Sequence, residues 1–125
     1  MGILGDARPA IVICTRDRAR ATMFYRDKLG LQPAGEDQWA SIFRAGGTEL
    51  RISTIPDFVA HEHTILGFKV ADVEGTVRAL RENGVVFNTY PKYKQDQLGI
   101  LKLPGGFRVA WFNDPDGNVL SVTDA

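Results

Sequence analysis

The sequence predicts an α+β fold made of two βαβββ modules in one chain, and two observations carry this prediction. The first is an internal repeat: residues 11–32 and 65–87 each contain an apolar strand pattern, an Asp, a helical pattern and a Gly. The second is that each half continues into a hairpin pattern over a Gly pair, FRAGGTELRIS and LKLPGGFRVAW. Such a repeat indicates a duplicated structural unit. We place the modules at about residues 8–55 and 62–125 of a single domain covering residues 1–125.

The two predicted helices have matching start and stop signals. Asp17 and Asp72 can accept the free backbone N–H groups at a helix start, and Gly30 and Gly84 can adopt the left-handed conformation that ends a helix. Each helix also has an apolar stripe at helical spacing. The stripes are formed by Ala21, Phe24 and Tyr25 in the first helix and by Val73, Val77 and Leu80 in the second.

The strand patterns predict that each sheet has two different faces. Apolar residues such as Leu50 and Ile52 alternate with Glu49, Arg51 and Ser53, and alternating residues of a strand point to opposite faces. We expect the helices to cover the apolar faces, with aromatic residues such as Phe43 and Phe112 in the core. A ligand would then bind on the faces of mixed polarity.

The composition of the chain excludes several classes of protein. Of 125 residues, 44% are hydrophobic and 24% are charged, which is ordinary for a soluble globular domain. Fifteen basic and fifteen acidic residues cancel, so we expect neither a nucleic-acid partner nor a membrane partner. The single cysteine, Cys14, cannot form an internal disulfide. We therefore expect a cytoplasmic protein, with Cys14 as a small buried hydrophobe.

The stretch Asp114-Pro115-Asp116-Gly117-Asn118 has two possible roles, a cation-binding loop or a tight turn. Its spacing does not match a calcium-binding EF-hand loop, which requires a Glu six residues after its glycine. Pro115 and Gly117 instead supply backbone angles that turns use, and Asp114 and Asn118 can bond neighbouring amides. The stretch therefore predicts a hairpin turn.

Two βαβββ modules, the helix end FYRDKLGL and the terminal DPDGN turn together resemble the vicinal-oxygen-chelate superfamily. This group includes glyoxalase I, bleomycin-resistance proteins, fosfomycin-resistance enzymes and extradiol dioxygenases. The resemblance covers essentially the whole chain. It implies curled mixed sheets around a cleft, one divalent ion held there by His and Glu side chains in the metal enzymes, and a homodimer.

The residues at the family's metal-ligand positions do not match that pattern. The first position is Ala10 where relatives have His, and the last is Ser121 where they have Glu. On the fourth strand the inward-facing ligand position is taken by either Glu49 or Arg51. On the fifth strand His63 lies two residues before the usual His position. Only His63 and Glu49 or Glu62 remain as donors, fewer than the three protein ligands of a catalytic zinc site. We therefore expect no metal cofactor, and a divalent metal at a shifted site is the alternative.

His61 and His63 flank Glu62 just before a predicted strand, in the segment that joins the modules. An H-x-H pair can place both imidazoles on one face of an extended segment, which would suit zinc or copper. A polar surface linker explains the same residues. His63 and Glu49 are also the candidates for a catalytic acid or base, because a pocket His can change its charge near neutral pH.

Six residues are our candidates for ligand binding: Arg51, Trp39, Trp111, Tyr90, Gln95 and Ser121. Arg51 offers a planar fork for a carboxylate or phosphate, although an internal salt bridge to Glu49 or another acid is the alternative. The aromatic rings would provide stacking surface. Gln95 belongs to the polar stretch NTYPKYKQDQLGIL, which is either a mobile flap or an ordinary loop.

These observations favour a protein that binds a small organic ligand without the ordinary metal centre, as bleomycin-resistance proteins do. The alternative is a divalent-metal-dependent lyase, isomerase or dioxygenase with a shifted metal site. The sequence does not decide whether the protein is an enzyme.

Overall fold

The computed structural model describes residues 2–125, which form two compact units, one ending at Phe58 and the other running from Val59 to Ala125. The first unit contains β1 (Ala10–Thr15), α1 (Arg18–Met23), a π-helical turn (Phe24–Lys28), β2 (Gln32–Glu36), β3 (Ala40–Ala45) and β4 (Thr48–Thr54). The second unit contains β5 (Thr64–Lys69), α2 (Val73–Glu82), β6 (Leu101–Lys102), β7 (Arg108–Asn113) and β8 (Val119–Thr123). The predicted pair of βαβββ modules is confirmed.

Each unit has one four-stranded mixed sheet, and the two sheets have the same topology. The strand order is β1-β4-β3-β2 in the first unit and β5-β8-β7-β6 in the second. In each sheet the first strand pairs in parallel with the last strand of its unit, and the other pairs are antiparallel. The parallel pair requires a crossover, which the helix of each unit supplies.

The helix signals in the sequence act as predicted. The Oδ1 atom of Asp17 accepts a 3.1 Å hydrogen bond from the backbone N–H of Arg20, and Asp72 does the same for Gly75 at 3.0 Å. Gly30 and Gly84 follow the helices with φ values of 73° and 92°. The first helix is short, and a π-helical turn continues it, burying Phe24 and Tyr25.

One face of the first sheet packs against α1. Ser41 and Ile52 are directly opposite each other on β3 and β4, and the hydroxyls of Thr22 and Ser41 lie 3.1 Å apart. Ile13, Phe43, Leu50 and Ile52 are almost fully buried, as the alternating pattern predicts. The residues that alternate with them define the helix-free face of this sheet.

In the second unit α2 packs against β7 and β8. Val73 and Val77 of the helix are buried, and so are Phe112, Leu120 and Val122 of the sheet. The predicted core positions Phe43 and Phe112 are confirmed. Gly67, Ser121 and Trp111 are paired across β5, β8 and β7 and lie on the other, helix-free face.

Two local expectations were wrong. The βαβββ pattern predicts a strand directly after Gly84, but this stretch forms only an isolated bridge between Phe87 and Phe112. The chain turns away at Tyr90 and Pro91, where the N–H of Tyr93 bonds back to the carbonyl of Tyr90. Cys14 is half-buried rather than part of the core. It pairs with Ser53 on the helix-free face, so its side chain points away from α1.

None of the helices within residues 2–125 has the length and apolar character needed to cross a membrane.

Candidate functional site

A row of small and aromatic side chains crosses the helix-free face of the second sheet. Gly67, Ser121 and Trp111 are consecutive partners along this row. A Cβ atom placed on Gly67 would lie 2.9 Å from the Oγ atom of Ser121, which is closer than real Cβ atoms approach. Gly67 therefore leaves room for the buried Ser121 hydroxyl beside the Trp111 ring.

Three aromatic rings form a cluster on this face, which we call the aromatic cluster: Trp111, Tyr90 and Tyr93. Tyr93 stacks on Trp111 with ring centroids 5.6 Å apart and planes inclined by 19°. Tyr90 meets Trp111 edge to face at 5.6 Å and Tyr93 edge to face at 6.1 Å. Stacked and edge-to-face arrangements are the favourable ones for aromatic pairs, so the three rings hold one another in place.

The segment that carries the two tyrosines is held by the side chain of Gln95. Its Oε1 atom accepts the N–H of Tyr90 at 2.7 Å, and its Nε2 atom donates to the carbonyls of Asn88 at 2.9 Å and Gly99 at 2.8 Å. The predicted ligand-binding residue Gln95 thus uses its amide within the loop. The stretch 88–100 is a hydrogen-bonded loop.

Asn88 adds a second anchor for the aromatic cluster. Its side-chain amide donates to the hydroxyl of Tyr90 at 3.2 Å and to the side chain of Asn113 at 2.7 Å. The backbone N–H of Asn88 bonds to the carbonyl of Trp111 at 2.7 Å. Tyr90 is therefore held at both ends, because its backbone N–H bonds to Gln95 and its hydroxyl bonds to Asn88.

On the helix-free face of the first sheet, Arg51 lies between Val12 and Ile42 in register. Its Nη2 atom is 2.6 Å from the Oδ2 atom of Asp37. The hydrogen bond from Arg51 lowers the pKa of Asp37 from 3.8 to about 2, and the backbone N–H groups of Trp39 and Ala40 contribute in the same direction. The carboxylate in turn raises the pKa of Arg51. Of the two alternatives for Arg51, the structure has the internal salt bridge, with Asp37 as the partner.

The turn between β2 and β3 is fixed by Arg18 as well as by Arg51. Arg18 donates to Ser41 Oγ at 3.1 Å, to Glu36 at 3.1 Å and to the carbonyl of Asp37 at 2.8 Å. Trp39 follows directly on this turn and is 67% exposed. The predicted pocket residue Trp39 is thus an exposed ring on a well-anchored turn.

Glu49 lies at the other end of the same face. It is half-buried and pairs in register with Ala10 on β1 and Arg44 on β3. A cavity of about 520 Å³ is bordered by these three residues together with Arg8 and the Gly47 end of the hairpin. Ala10 brings a methyl group where the resemblance implies an imidazole, so Glu49 is the one carboxylate among the described residues that border this cavity.

His61 and His63 are both exposed, and their rings stack with centroids 5.3 Å apart and planes inclined by 23°. The surrounding residues 61–64 are exposed as well. The two imidazoles of the H-x-H pair therefore lie side by side on an exposed segment of the chain.

The DPDGN stretch is a turn, as predicted. The Oδ1 atom of Asp114 accepts the N–H groups of Asp116 and Asn118, each at 2.9 Å. The Oδ2 atom accepts the side-chain amide of Asn118 at 2.8 Å. Gly117 has a φ of 89°, which L side chains rarely adopt. The Asp114 carboxylate and the Asn118 amide are thus engaged in shaping the turn between β7 and β8.

The described residues do not bring together the donors that a metal site requires. Within the part of the chain that the structure describes, residues 2–125, no three His, Cys, Asp or Glu side chains converge on a common point. Catalytic zinc sites use three protein ligands and leave one position open. The described residues do not present three such ligands, and Ala10 and Ser121 stand at two positions where the resemblance implies a His and a Glu.

Comparison with known proteins bears on the resemblance noted in the sequence. A family model described as the Glyoxalase/Bleomycin resistance protein/Dioxygenase superfamily matches residues 8–122. The chain belongs to this superfamily. The resemblance to the vicinal-oxygen-chelate proteins is thereby confirmed.

Three similar proteins illustrate the range of this superfamily. The chain is 28% identical over 128 residues to the uncharacterized protein YraH of Bacillus subtilis (strain 168), covering 90% of this chain and 93% of YraH. A lactoylglutathione lyase from Agrobacterium tumefaciens has a TM-score of 0.71 at 18% identity, covering 94% and 92% of the two chains. A bleomycin resistance determinant encoded on transposon Tn5 has a TM-score of 0.72 at 19% identity, covering 93% and 95%. At these identities the structural likenesses show the shared fold.

The sequence indicated some of the residues around the aromatic cluster and the Arg51 ion pair and missed others. Trp111, Tyr90 and Ser121 were candidates from the sequence, Trp111 and Ser121 through the family resemblance and Tyr90 as an aromatic residue of the polar stretch, and the structure places Trp111 and Tyr90 in contact. Tyr93, Asn88 and Asp37 were missed, because their roles depend on how a loop and a turn fold back onto the sheets. The only available signal for Tyr93 was its position in the same Tyr-rich stretch as Tyr90.

Proposed function

We propose that the protein binds a small planar organic ligand against the aromatic cluster and that it does so without a metal centre. The observation that carries this proposal is the contact of Trp111, Tyr90 and Tyr93 on the helix-free face of the second sheet. Rings that are fixed in advance bind a flat ligand at low entropic cost. The bleomycin resistance determinant with the same fold supports a ligand-binding role.

The charge next to the cluster favours a ligand with an acidic group. The Nζ atom of Lys92 lies 5.1 Å from the centroid of the Tyr93 ring. An ammonium over an aromatic face is attracted to the ring and can also pair with an anion on the ligand. We propose a planar body with an attached carboxylate, sulfonate or phosphate as the ligand class.

The absence of a metal centre is part of the proposal and rests on the donor set. Ala10 and Ser121 cannot supply the imidazole and carboxylate that the resemblance implies at their positions, and no group of three His, Cys, Asp or Glu side chains is found among residues 2–125. Elemental analysis of protein purified without chelator should find less than about one tenth of a metal ion per chain. One tightly held equivalent that His63→Ala removes would instead establish the metal-dependent alternative.

Ligand binding can be tested with the two tryptophans as separate reporters. Trp39→Phe leaves Trp111 as the only tryptophan, and Trp111→Phe leaves Trp39. Anilinonaphthalene sulfonate, an anionic probe with a planar naphthalene ring, should quench the fluorescence of Trp39→Phe in a saturable way. Quenching confined to Trp111→Phe would place the bound probe at Trp39 and overturn the assignment to the aromatic cluster.

The contribution of the cluster can then be measured by removing its outer ring. Tyr93→Ala should weaken binding of the probe about tenfold, which corresponds to about 1.4 kcal/mol. The matched control is Phe107→Ala, which removes an exposed ring outside the cluster. Equal affinities for Tyr93→Ala and the wild type would show that the cluster does not bind the probe.

The cellular location and the oligomeric state of the protein are proposed on more general grounds. We propose a cytoplasmic homodimer, supported by the lone Cys14 and by the homodimers implied by the resemblance. Light scattering at several protein concentrations tests the oligomeric state directly, and a mass of 13.8 kDa at all of them would show a monomer.

A further inference from the structure

The Val59–Ala125 unit has a cavity of its own. It lies on the side of the sheet that α2 packs against, on the face opposite Trp111. It measures about 480 Å³, and Lys94, Lys102 and Arg108 contribute three positive charges to its lining. Glu74 and Asp96 contribute two negative charges. This volume is in the range of small-molecule sites.

The position of two of these cations is energetically unfavourable. Lys102 and Arg108 are directly opposite each other on the antiparallel strands β6 and β7. Like charges at directly opposite positions destabilise a strand pair. Among the salt bridges of residues 2–125, none involves Lys94, Lys102 or Arg108. Neither cation is therefore within ion-pair distance of a carboxylate of the described residues.

The two acids of the cavity are occupied in other ways. The Oδ1 atom of Asp96 accepts the backbone N–H groups of Leu98 and Ile100, each at 2.9 Å. The carboxylate of Glu74 is 3.4 Å from Arg78, one helical turn along α2. Within residues 2–125 the side chains of Lys94, Lys102 and Arg108 donate no hydrogen bond, so their donors can serve a molecule in the cavity.

We infer that this cavity binds a small phosphate-bearing molecule. A phosphate group has several strongly accepting oxygens, which suit one guanidinium and two ammonium groups arranged around it. Its negative charge would relieve the repulsion between Lys102 and Arg108. Gln95 borders this cavity and also holds the loop of the aromatic cluster, but Arg108 and Trp111 lie on opposite faces of β7, so the inference does not depend on the function proposed for the cluster.

Thermal unfolding in pyrophosphate tests this inference. Pyrophosphate should raise the Tm of the wild type in a saturable way when sodium chloride keeps the ionic strength constant, because a ligand that binds the folded state stabilises it. Arg108→Gln and Lys102→Gln should each weaken binding of pyrophosphate at least about tenfold. Both variants should unfold at or above the wild-type Tm in its absence, since each removes the repulsion.

Controls separate specific binding from screening and from other ligands. Lys69→Gln removes an exposed cation on β5 and should leave the effect of pyrophosphate unchanged. Binding of anilinonaphthalene sulfonate should be the same in Arg108→Gln as in the wild type. An equal Tm shift from chloride at matched ionic strength would overturn the inference. Tighter, Arg108-dependent binding of a short oligonucleotide would overturn the assignment to a small molecule.

Discussion

The Oε1 atom of Gln95 accepts a 2.7 Å hydrogen bond from the backbone N–H of Tyr90. The same side chain also donates to the carbonyls of Asn88 and Gly99. It therefore connects the first residues of the loop between residues 88 and 100 to its end. The position of the Tyr90 ring beside Trp111 thus depends on a residue that the ring itself does not need to touch.

We expect Gln95→Ala to loosen this loop and the aromatic cluster together. Three hydrogen bonds are lost, two of them from carbonyls that are left without this donor, so the free energy of unfolding should fall by about 2 kcal/mol. The near-ultraviolet circular dichroism of the cluster should weaken in parallel. Urea unfolding and the near-ultraviolet spectrum measure the two effects.

Gln97→Ala is the matched control, since Gln97 is exposed in the same loop and only its backbone carbonyl accepts a hydrogen bond, from Arg81. It should change the free energy of unfolding by less than about 0.5 kcal/mol. Similar effects of the two substitutions would contradict the role of the Gln95 amide.

The ion pair between Arg51 and Asp37 predicts a specific pH dependence. The pKa of Asp37 is about 2 in the folded protein against an ordinary value of 3.8, so its carboxylate stabilises the folded state. This stability is present above pH 4 and is lost as the pH falls toward 2. Asp37→Asn should therefore be less stable than the wild type at pH 7, and the difference should shrink between pH 4 and pH 2.

Urea unfolding at a series of pH values measures this difference. Asp57→Asn is the control, because Asp57 is an exposed acid in the same unit. It should follow the wild type over the whole range. A gap between wild type and Asp37→Asn that stays constant from pH 7 to pH 2 would show that the charge of Asp37 is not what stabilises the turn.

The sequence predicted those features that depend on local chemistry. The capping by Asp17 and Asp72 and the DPDGN turn each involve residues within a few positions of one another, so their chemistry is visible in the sequence. Strand parity likewise placed Arg51 on the face opposite Leu50 and Ile52. The two-residue length of β6 was not predictable, because the Leu103–Phe107 turn that limits it is decided by a hydrogen bond across the hairpin.

Contacts made by loops were beyond the sequence. Asp37 is 14 residues from Arg51, and its choice as partner over Glu49 depends on the geometry of the β2–β3 turn. Tyr93 reaches Trp111 because the loop folds back onto the sheet, and the hydrogen bonds of Gln95 hold the loop in this fold. In both cases many residue pairs have suitable chemistry, and the path of the chain selects one.

The close approach of Gly67 to Ser121 gives a prediction about the helix-free face of the second sheet. A methyl group at position 67 would lie 2.9 Å from the Ser121 hydroxyl, so Gly67→Ala should lower the free energy of unfolding by about 1–3 kcal/mol. Adding Ser121→Ala should recover part of this loss by removing the Oγ atom. A double-mutant cycle measured by urea unfolding checks the coupling, and additive effects would contradict the steric explanation.

The hydrogen bond between Asn118 and Asp114 predicts opposite pH responses for two substitutions. Asn118 is 1% exposed, and its amide donates to Asp114 Oδ2 at 2.8 Å. Asn118→Ala should lower the free energy of unfolding by about 1–3 kcal/mol at pH 7. Asn118→Asp should be more damaging at pH 7, because two buried carboxylates then face each other, which raises the pKa of the pair. As the pH falls to about 4, one shared proton should restore a hydrogen bond, so this variant should gain stability relative to Asn118→Ala. Parallel pH profiles of the two variants would mean that the Asn118 amide does not contact the Asp114 carboxylate in solution.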